Sequence, residues 1–531
     1  MSIAFQVIAS GDKHPGVLIE NLPVAQPGEA DRPSLIFGQR LASGTVLANT
    51  LTLVADAADA DSKFGIGSML AQACAAYLRN DPNPRPLYAM PLADPAGVAA
   101  SSTINITGPA TGSGTLHLYI ADQHVPITVV SGQTADNVAT AIRAALGINE
   151  AAALALGSRV PVTGAGALAA VILTARHAGL LGNQIDIRLN KLGAPAETNP
   201  AGIAVTDIPA APTTTVNRIF LGTGGTAPVA GTLAPVLTTA MLNILDRRYS
   251  FVSHPWDDAT SLLAFKNEWA DGADGRWGPY QMTYGHVFGA KLESYINLFT
   301  FATGGTLQQD PHYSCFGMEG CPNPPWEIGA AFAGAAAVSF RANPAKPLNG
   351  LKLIGISAPH PIDQFTRLER STLLDNGITV PLVSTSGEVY ILRGITSYFE
   401  NPAGGAEDQW LDITTTFKVD VINTEMQANL VAATNGKNLA DDGTLAASAP
   451  NVTTANAVRG ILFGMYDGWE LRGIVENGAV FRKLVIVERN ALDPNRLDVF
   501  FPPALIGECQ ILAIQNQWRL AYTAAEKALA A

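Results

Sequence analysis

Three short constellations in this chain carry residue types that do chemistry. The first is His254-Pro255-Trp256-Asp257-Asp258. It sets an imidazole beside two carboxylates, just after a strand-like run, Tyr249 to Val252, where an α/β protein holds a catalytic base. The same residues also make a helix start, with Asp257 or Asp258 as N-cap accepting from free backbone amides. With no nucleophile or phosphate loop nearby, the cap is the stronger of the two. The second is GTGGTA, Gly222 to Ala227, between an expected strand (Val216 to Leu221) and an expected helix (Pro228 to Leu245). It fits the dinucleotide pattern G-x-G-x-x-A loosely, with Asp246 downstream, but glycines at such a turn are common for geometric reasons alone. The third is His312-x-x-Cys315-x5-Cys321. A structural zinc site wants four ligands with close pairs, and no second pair lies nearby. Incidental cysteines, or a local disulfide formed after release from the cell, are the plainer alternatives. The other histidines (14, 117, 124, 177, 286 and 360) are scattered singly. No G-x-S-x-G elbow, H-E-x-x-H or P-loop occurs, so no catalytic set, metal or cofactor is expected.

The elements that would hold such residues are those of a large chain. Its 531 residues exceed one compact core and imply two to four domains. Hydrophobic residues make up 47% and charged residues 15%, against roughly 25% charged in an average protein. Such a deficit suggests that something else, most simply other copies, covers much of the surface; a large, ordinary Ala/Gly-rich protein has the same composition. The net charge of −12 argues against a nucleic-acid partner, which needs a basic face to displace counterions. Four cysteines do not make a disulfide framework, and reduced assembly in a cytosol is the default. The N-terminus lacks a basic-then-apolar signal pattern. The Ala/Gly-rich stretch Ile328 to Phe340 is shorter than the ~20 residues of a membrane span and suits a closely packed helix.

The periodicities predict α/β and α+β folding in several blocks. In 1–94, Ile3, Phe5 and Val7 alternate; a helix is expected over 64–79 and a buried strand over Leu87 to Leu92. In 95–200, strands are expected at 102–107, 115–120, 125–130, 171–174 and 185–189. Thr134 caps a helix carrying Val138, Ile142 and Leu146. VTGAGALAAVILTA (Val162 to Ala175) faintly echoes Ile106 to Ala121, as a hairpin repeat would. In 201–350, strands at 249–252 and 280–284 alternate with helices at 259–269 and 327–341. In 351–531, a helix over 362–374 should stop at Asn376-Gly377, and a strand follows over 389–396. A helix over 455–475 should present Val458, Ile461, Leu462, Met465 and Trp469 on one face and end at Asn477-Gly478.

The C-terminal run Phe481 to Leu520 is the densest strand-like stretch. Three apolar segments, Leu484 to Val487, Leu497 to Phe501 and Ile511 to Leu520, are punctuated by Asp493-Pro494 and Pro502-Pro503. In the last, Leu512, Ile514, Trp518 and Leu520 share one face at period two. A terminal strand with one apolar face pairs with its own sheet or with a neighbour's. A short Ala-rich helix, 521–531, closes the chain.

These segments resemble a known family. VRGILFGMYDGWELRGIVEN (Val458 to Asn477), LVIVERNALDPNRLDVFFPP (Leu484 to Pro503) and ILAIQNQWRL (Ile511 to Leu520) are similar to the Mu-like tail sheath proteins of contractile-tailed bacteriophages. KNLADDGT (Lys437 to Thr444), GIGSMLAQACAAYLRNDP (Gly65 to Pro82) and LYAMPLAD (Leu87 to Asp94) fit the same family in the same order. The likeness is weakest between Ile203 and Gly350. It implies a discontinuous core domain, built from 1–94 and about 351–531, with 95–200 and 201–350 as outer domains. It implies stacked six-membered rings around a tail tube, terminal strands exchanged between copies, and contraction on a baseplate signal that drives the tube through the envelope. Partners would be other copies, the tube protein, and baseplate and tail terminator proteins, with no nucleic acid and no membrane insertion. The location would be the virion, after assembly in the host cytoplasm. On this basis Ile3, Phe5, Val7, Ile511, Leu512, Ile514, Trp518 and Leu520 are expected at subunit interfaces. Arg459, Asp467, Glu470 and Arg472 would face the tube, and Gly11, Pro15, Gly16, Pro502, Pro503 and Gly507 would serve as hinges. The competing functions are an α/β enzyme using a nucleotide at Gly222 to Ala227, and a tail decoration or receptor-binding module headed by 95–200.

Overall fold

Leu35, Ile36 and Phe37 form an unbroken apolar run, the pattern of a strand covered on both faces. In the computed structural model this run is the strand Ser34–Gln39, buried throughout, near the middle of a seven-stranded sheet. The structure describes residues 32–84, 86–208, 218–401 and 403–525. Ile3, Phe5, Val7, Gly11, Pro15 and Gly16 lie outside the described residues, as does the end of the expected C-terminal helix. By contact the chain divides into two compact units, 1–342 with 348–413, and 343–347 with 414–531. The expected block 351–531 is thereby split at 413/414.

In the first unit the large sheet runs Ile378–Thr379, Tyr313–Met318, His286–Leu292, Phe251–Ser253, Ser34–Gln39, Leu87–Leu92 and Thr52–Val54. All neighbours are parallel except the last pair. The helices Met69–Asn80 and Pro325–Ala342 pack on it and on each other. The second is the expected Ala/Gly helix, buried over nearly its whole length. Its small residues permit close approach: a Cβ on Gly334 would lie 2.7 Å from the Tyr77 carbonyl oxygen. The helix expected over 64–79 is two, Ala57–Phe64 and Met69–Asn80. Gly65 (φ 94) and Gly67 (φ 77) break it, in a region that other residues rarely adopt.

Residues 99–229 build two further sheets. One orders Ala204–Val205, Ala99–Thr107, Ala170–Ala178 and Val162–Ala165, with Thr226–Val229 also on Ala99–Thr107. The other orders Arg218–Phe220, Asp186–Leu189, Gly114–Ile120 and Gln123–Val129. Thr134 caps the helix Ala135–Leu146, accepting from the Asn137 amide. The faint echo is not a structural repeat. Val162–Ala165 and Ala170–Ala178 pair as a hairpin, whereas Ala99–Thr107 and Gly114–Ile120 belong to different sheets. A three-stranded sheet, Lys352–Ser357, Glu388–Ile391 and Pro381–Val383, completes this unit.

Three expectations fail here. The helix expected over 228–245 is only Thr238–Asn243, because Thr226–Val229 pairs into a sheet. Tyr280 to Tyr284 is a turn, and the strand beside it is His286–Leu292. The helix expected over 362–374 is a short 3-10 turn, Pro361–Asp363, then Arg367–Asp375 behind a Thr366–Glu369 capping box. It stops where expected, with Gly377 at φ 74.

In the second unit the helix Ala455–Leu471 buries Val458, Leu462, Tyr466 and Trp469. These pack with Val421, Ile422, Ile474, Val475, Phe481 and Val485, while Ile461 and Met465 are only half-buried. Gly473 (φ 70) follows its end, so the expected Asn477-Gly478 stop is the start of another helix, Gly478–Leu484. Three two-stranded pairings complete the unit: Asn438–Leu439 with Val452–Thr453, Val475–Glu476 with Ala504–Leu505, and Ile486–Arg489 with Leu497–Phe500.

Candidate functional site

An open α/β sheet holds ligands at the carboxyl ends of its strands, where the strand order reverses. Here the reversal lies between Ser34–Gln39 and Phe251–Ser253, so the crevice would sit beside Gln39 and His254. It is filled by the chain itself. Gln39 Nε2 donates to Asp94 Oδ1 and to the Ala178 carbonyl, both at 2.8 Å. His177 Nδ1 lies 2.7 Å from Asp94 Oδ1, and His177 Nε2 accepts the Met69 amide at 3.1 Å. Asp257 takes Lys291 Nζ at 2.5 Å and Gln184 Nε2 at 3.0 Å. The segment 177–184 thus covers the ends of the strands.

His254 is fully buried and stacks on Phe265 at 3.8 Å, with Trp256 and Tyr313 flanking it. Burial pushes its pKa down to about 3, so it stays neutral. Asp258 is the N-cap of Ala259–Glu268, accepting from the Ser261 amide at 3.0 Å. The constellation is a helix start over a packed ring cluster.

GTGGTA joins the strands Arg218–Phe220 and Thr226–Val229. The Gly222 amide donates to Ser102 Oγ at 2.9 Å. No helix begins after the loop, so the backbone amides and dipole that cradle a pyrophosphate are missing there. His312, Cys315 and Cys321 are all buried and not gathered as ligands among the described residues. His312 Nε2 pairs with Asp271 at 3.1 Å. Burial pushes the Cys315 thiol up to about 12, and the cysteines are free.

The strongest surface feature is in the second unit. The Ile506 amide donates to the Ile474 carbonyl at 3.2 Å, closing the Val475–Glu476 and Ala504–Leu505 pairing. Beyond it, residues 507–523 form no helix or strand. Glu508 accepts from Thr414 Oγ1, which holds the start of the segment. Ile511, Leu512, Ile514, Trp518 and Leu520 then stand almost fully exposed; Ile514 is 77% and Trp518 89% accessible. Among the described residues, no strand pairs with the expected strand Ile511 to Leu520. Pro502 and Pro503 separate Leu497–Phe500 from Ala504–Leu505, and Gly507 sits in open space at the root of the exposed segment.

The charged residues on Ala455–Leu471 are engaged within the unit. Arg459 Nη2 donates to the Arg482 carbonyl at 3.1 Å, and its guanidinium lies over Phe463. Asp467 accepts from Arg482. Glu470 accepts the Gly478 amide at 3.1 Å, and Arg472 pairs with Glu425 at 2.7 Å.

No family model matches the chain. A curated relative, the Mu-like prophage FluMu tail sheath protein of Haemophilus influenzae, is 26% identical over 524 residues, spanning 98% of this chain and 100% of the relative. This chain is related to the Mu-like tail sheath proteins. Among solved structures, the contracted helical sheath of the anti-feeding prophage is 11% identical at TM-score 0.47, over 95% of this chain and 99% of that one. The sheath tail protein of Listeria innocua is 11% identical at TM-score 0.45, over 91% and 95% of the two chains. That of Desulfitobacterium hafniense is 14% identical at TM-score 0.43, over 92% and 100%.

The segments that carry the sheath resemblance near the C-terminus all fall in the second unit. They are its main helix, its Ile486–Arg489 and Leu497–Phe500 hairpin, and the segment 507–523, which forms no helix or strand. One group in the first unit escaped the sequence: His117, His124 and Glu197 place ligand-type atoms within 4.8 Å of one another. Only the register of the Gly114–Ile120 and Gln123–Val129 hairpin, and the loop returning past it, bring them together.

Proposed function

We propose that this chain is a structural, non-catalytic subunit of a contractile tail sheath. It polymerises as stacked six-membered rings around the tail tube and contracts on a baseplate signal to drive the tube through the bacterial envelope. Its partners are other copies of itself, the tube protein, and baseplate and terminator proteins. Its place is the virion, reached by assembly in the host cytoplasm. The end-to-end similarity to a tail sheath protein supports this, and one observation carries it: an apolar, strand-patterned tail whose Ile511, Leu512, Ile514, Trp518 and Leu520 are exposed and which joins no sheet among the described residues.

The tail is an arm given to a neighbour. Leu512, Ile514, Trp518 and Leu520, with Ile511, dock on a sheet of another copy, and Ile3, Phe5 and Val7 act alike at the other end. The two-stranded hairpin Ile486–Arg489 and Leu497–Phe500 suits the role of acceptor. Two strands alone are marginal in water, and Ile486, Val499 and Phe500 are exposed on it. Pro502, Pro503 and Gly507, with Gly11, Pro15 and Gly16, are the hinges that let arms stay docked while rings turn.

The test is truncation after Gly507, read by negative-stain microscopy and sedimentation. A folded monomer that forms no tubes is expected; normal tubes from the truncated chain sink the proposal. We assign the helix Ala455–Leu471 to the tube-facing side, through Arg459, Asp467, Glu470 and Arg472. Arg472→Glu alone would also break the Glu425 pair. The informative variant is Arg472→Glu with Glu425→Lys, which keeps the pair and reverses the outward charge. Unchanged co-assembly with the tube protein counts against that assignment.

A further inference from the structure

We propose that His117, His124 and Glu197 form a binding site for a zinc-class transition-metal ion, independent of polymerisation. His117 and Tyr119 share a face of the strand Gly114–Ile120 at period two. His124, on the paired strand, lies in register with Tyr119. The ring of His124 stacks on Tyr119 at 4.6 Å and on His117 at 5.2 Å, nearly coplanar in both cases. This stacking fixes His117 Nδ1 and His124 Nε2 3.0 Å apart.

The third donor comes from the loop after Asp186–Leu189. Glu197 is held there by its amide on the Gly193 carbonyl at 2.8 Å. Its carboxylate is buried yet offers Oε1 at 3.6 Å from His117 Nδ1. The carboxylate is aimed from behind: Tyr119 Oη donates to Oε1, and the Leu192 amide donates to Oε2 at 3.0 Å. Partners of this kind orient metal ligands in known sites.

The spacing fits a tetrahedral ion. Ligand bonds of about 2.0–2.2 Å place neighbouring donors roughly 3.3–3.5 Å apart; two of the three donor separations, 3.0 and 3.6 Å, bracket that value, and the third lies within 4.8 Å. Two imidazoles and one carboxylate favour zinc, cobalt, nickel or copper over magnesium or calcium, which prefer all-oxygen cages. On binding, the ring that donates in the His117–His124 hydrogen bond moves its proton to its own far nitrogen; the accepting ring already carries its proton there, so both Nδ1 of His117 and Nε2 of His124 are free to bind. Three protein ligands leave a fourth position for water. The ion would clasp the hairpin to the loop that carries Glu197.

The test uses the full chain, stripped with a chelator, in a Cys509→Ser background because Cys509 is an exposed thiol. Equilibrium dialysis against zinc chloride, with metal content measured per chain, is compared with His124→Gln. That residue is exposed, so its replacement leaves the fold intact. One zinc per chain is expected, weakened at least about tenfold by His124→Gln and also by Tyr119→Phe, which removes the orienting donor. Zinc should raise the melting temperature of the parent and not of His124→Gln, and magnesium should raise neither. Equal zinc affinity in parent and His124→Gln, or no saturable zinc in the parent, overturns the proposal. Tube formation by the stripped protein leaves this test unaffected.

Discussion

Replacing Ile514 by asparagine separates a donated arm from a poorly packed tail. Ile514 is 77% exposed, so the monomer has almost no packing to lose. A surface change of this kind alters stability by about 0.5 kcal/mol at most. In the polymer the side chain would become covered. Full burial of an isoleucine contributes about 1.5–3 kcal/mol, and three quarters of it is about 1–2 kcal/mol. Since 1.4 kcal/mol is tenfold in an equilibrium constant, the critical concentration for tube growth should rise roughly five- to thirtyfold. The assay is a dilution series sedimented at each concentration, beside a thermal melt of the monomer. An unchanged critical concentration refutes the reasoning. A lowered melting temperature refutes it in another way, because Ile514 would then pack within its own chain. Trp518→Ser should act more strongly, since its ring buries more surface and is 89% exposed.

Two further outcomes concern stability. Burial pushes the Glu327 carboxyl up from 4.5 to about 7, against the opposing pull of the Asn323 hydrogen bond and Arg79, with Asp122 adding to the rise. The folded chain therefore holds this proton more tightly than the unfolded chain. The contribution is complete below pH 4.5 and is lost as pH rises through 7, by about 3 kcal/mol in all. Glu327→Gln keeps an acceptor for Asn323 Nδ2 and should melt higher than the parent at pH 8, with the gap closing by pH 5; parallel melting curves would contradict this. Leu462, fully buried among Val458, Tyr466, Trp469 and Phe481, should cost about 3–5 kcal/mol when cut to alanine. The check is the denaturant midpoint, and a loss below about 1 kcal/mol would mean that this core is loosely packed.

Much of the local structure was legible where pattern and punctuation agreed. Leu87–Leu92, Gly114–Ile120 and Gln123–Val129 follow apolar runs bounded by turns, and Thr134 and Asp258 are caps that name themselves. The helix Ile413–Thr434 was not legible. Its threonines, valines and isoleucines carry poor helix propensity, and burial around its first turns supplies what propensity lacks. Buried parallel strands such as Tyr313–Met318 show no alternation, so Cys315 drew attention as a ligand when it is core. His117, His124 and Glu197 are invisible in sequence because hairpin register and a loop path, neither of which composition encodes, bring them together.

The tail sharpens what an alternating pattern means. Leu116, Leu118 and Ile120 alternate along one strand and are buried, and that strand is paired at both edges, by Gln123–Val129 and Asp186–Leu189. Leu512 and Ile514 alternate in the same way and are exposed. The residue types are alike, so intrinsic preference cannot separate the two cases. What differs is the supply of an edge. A period-two apolar face therefore specifies a partner surface of a given shape, and says nothing about which chain provides it. Within the second unit the hairpin Ile486–Arg489 and Leu497–Phe500 is a sheet of two strands, with exposed apolar side chains and no further strand beside it among the described residues. Among the described residues, a strand-patterned tail that joins no sheet and a sheet of only two strands are complementary defects. Closing them within one chain would leave isolated particles. Closing them between copies makes each subunit both donor and acceptor, and such head-to-tail contacts propagate into rings or helices. That is the arrangement proposed for this sheath subunit: donated backbone hydrogen bonds would hold while the subunits turn about Pro502, Pro503 and Gly507 at the root of the arm.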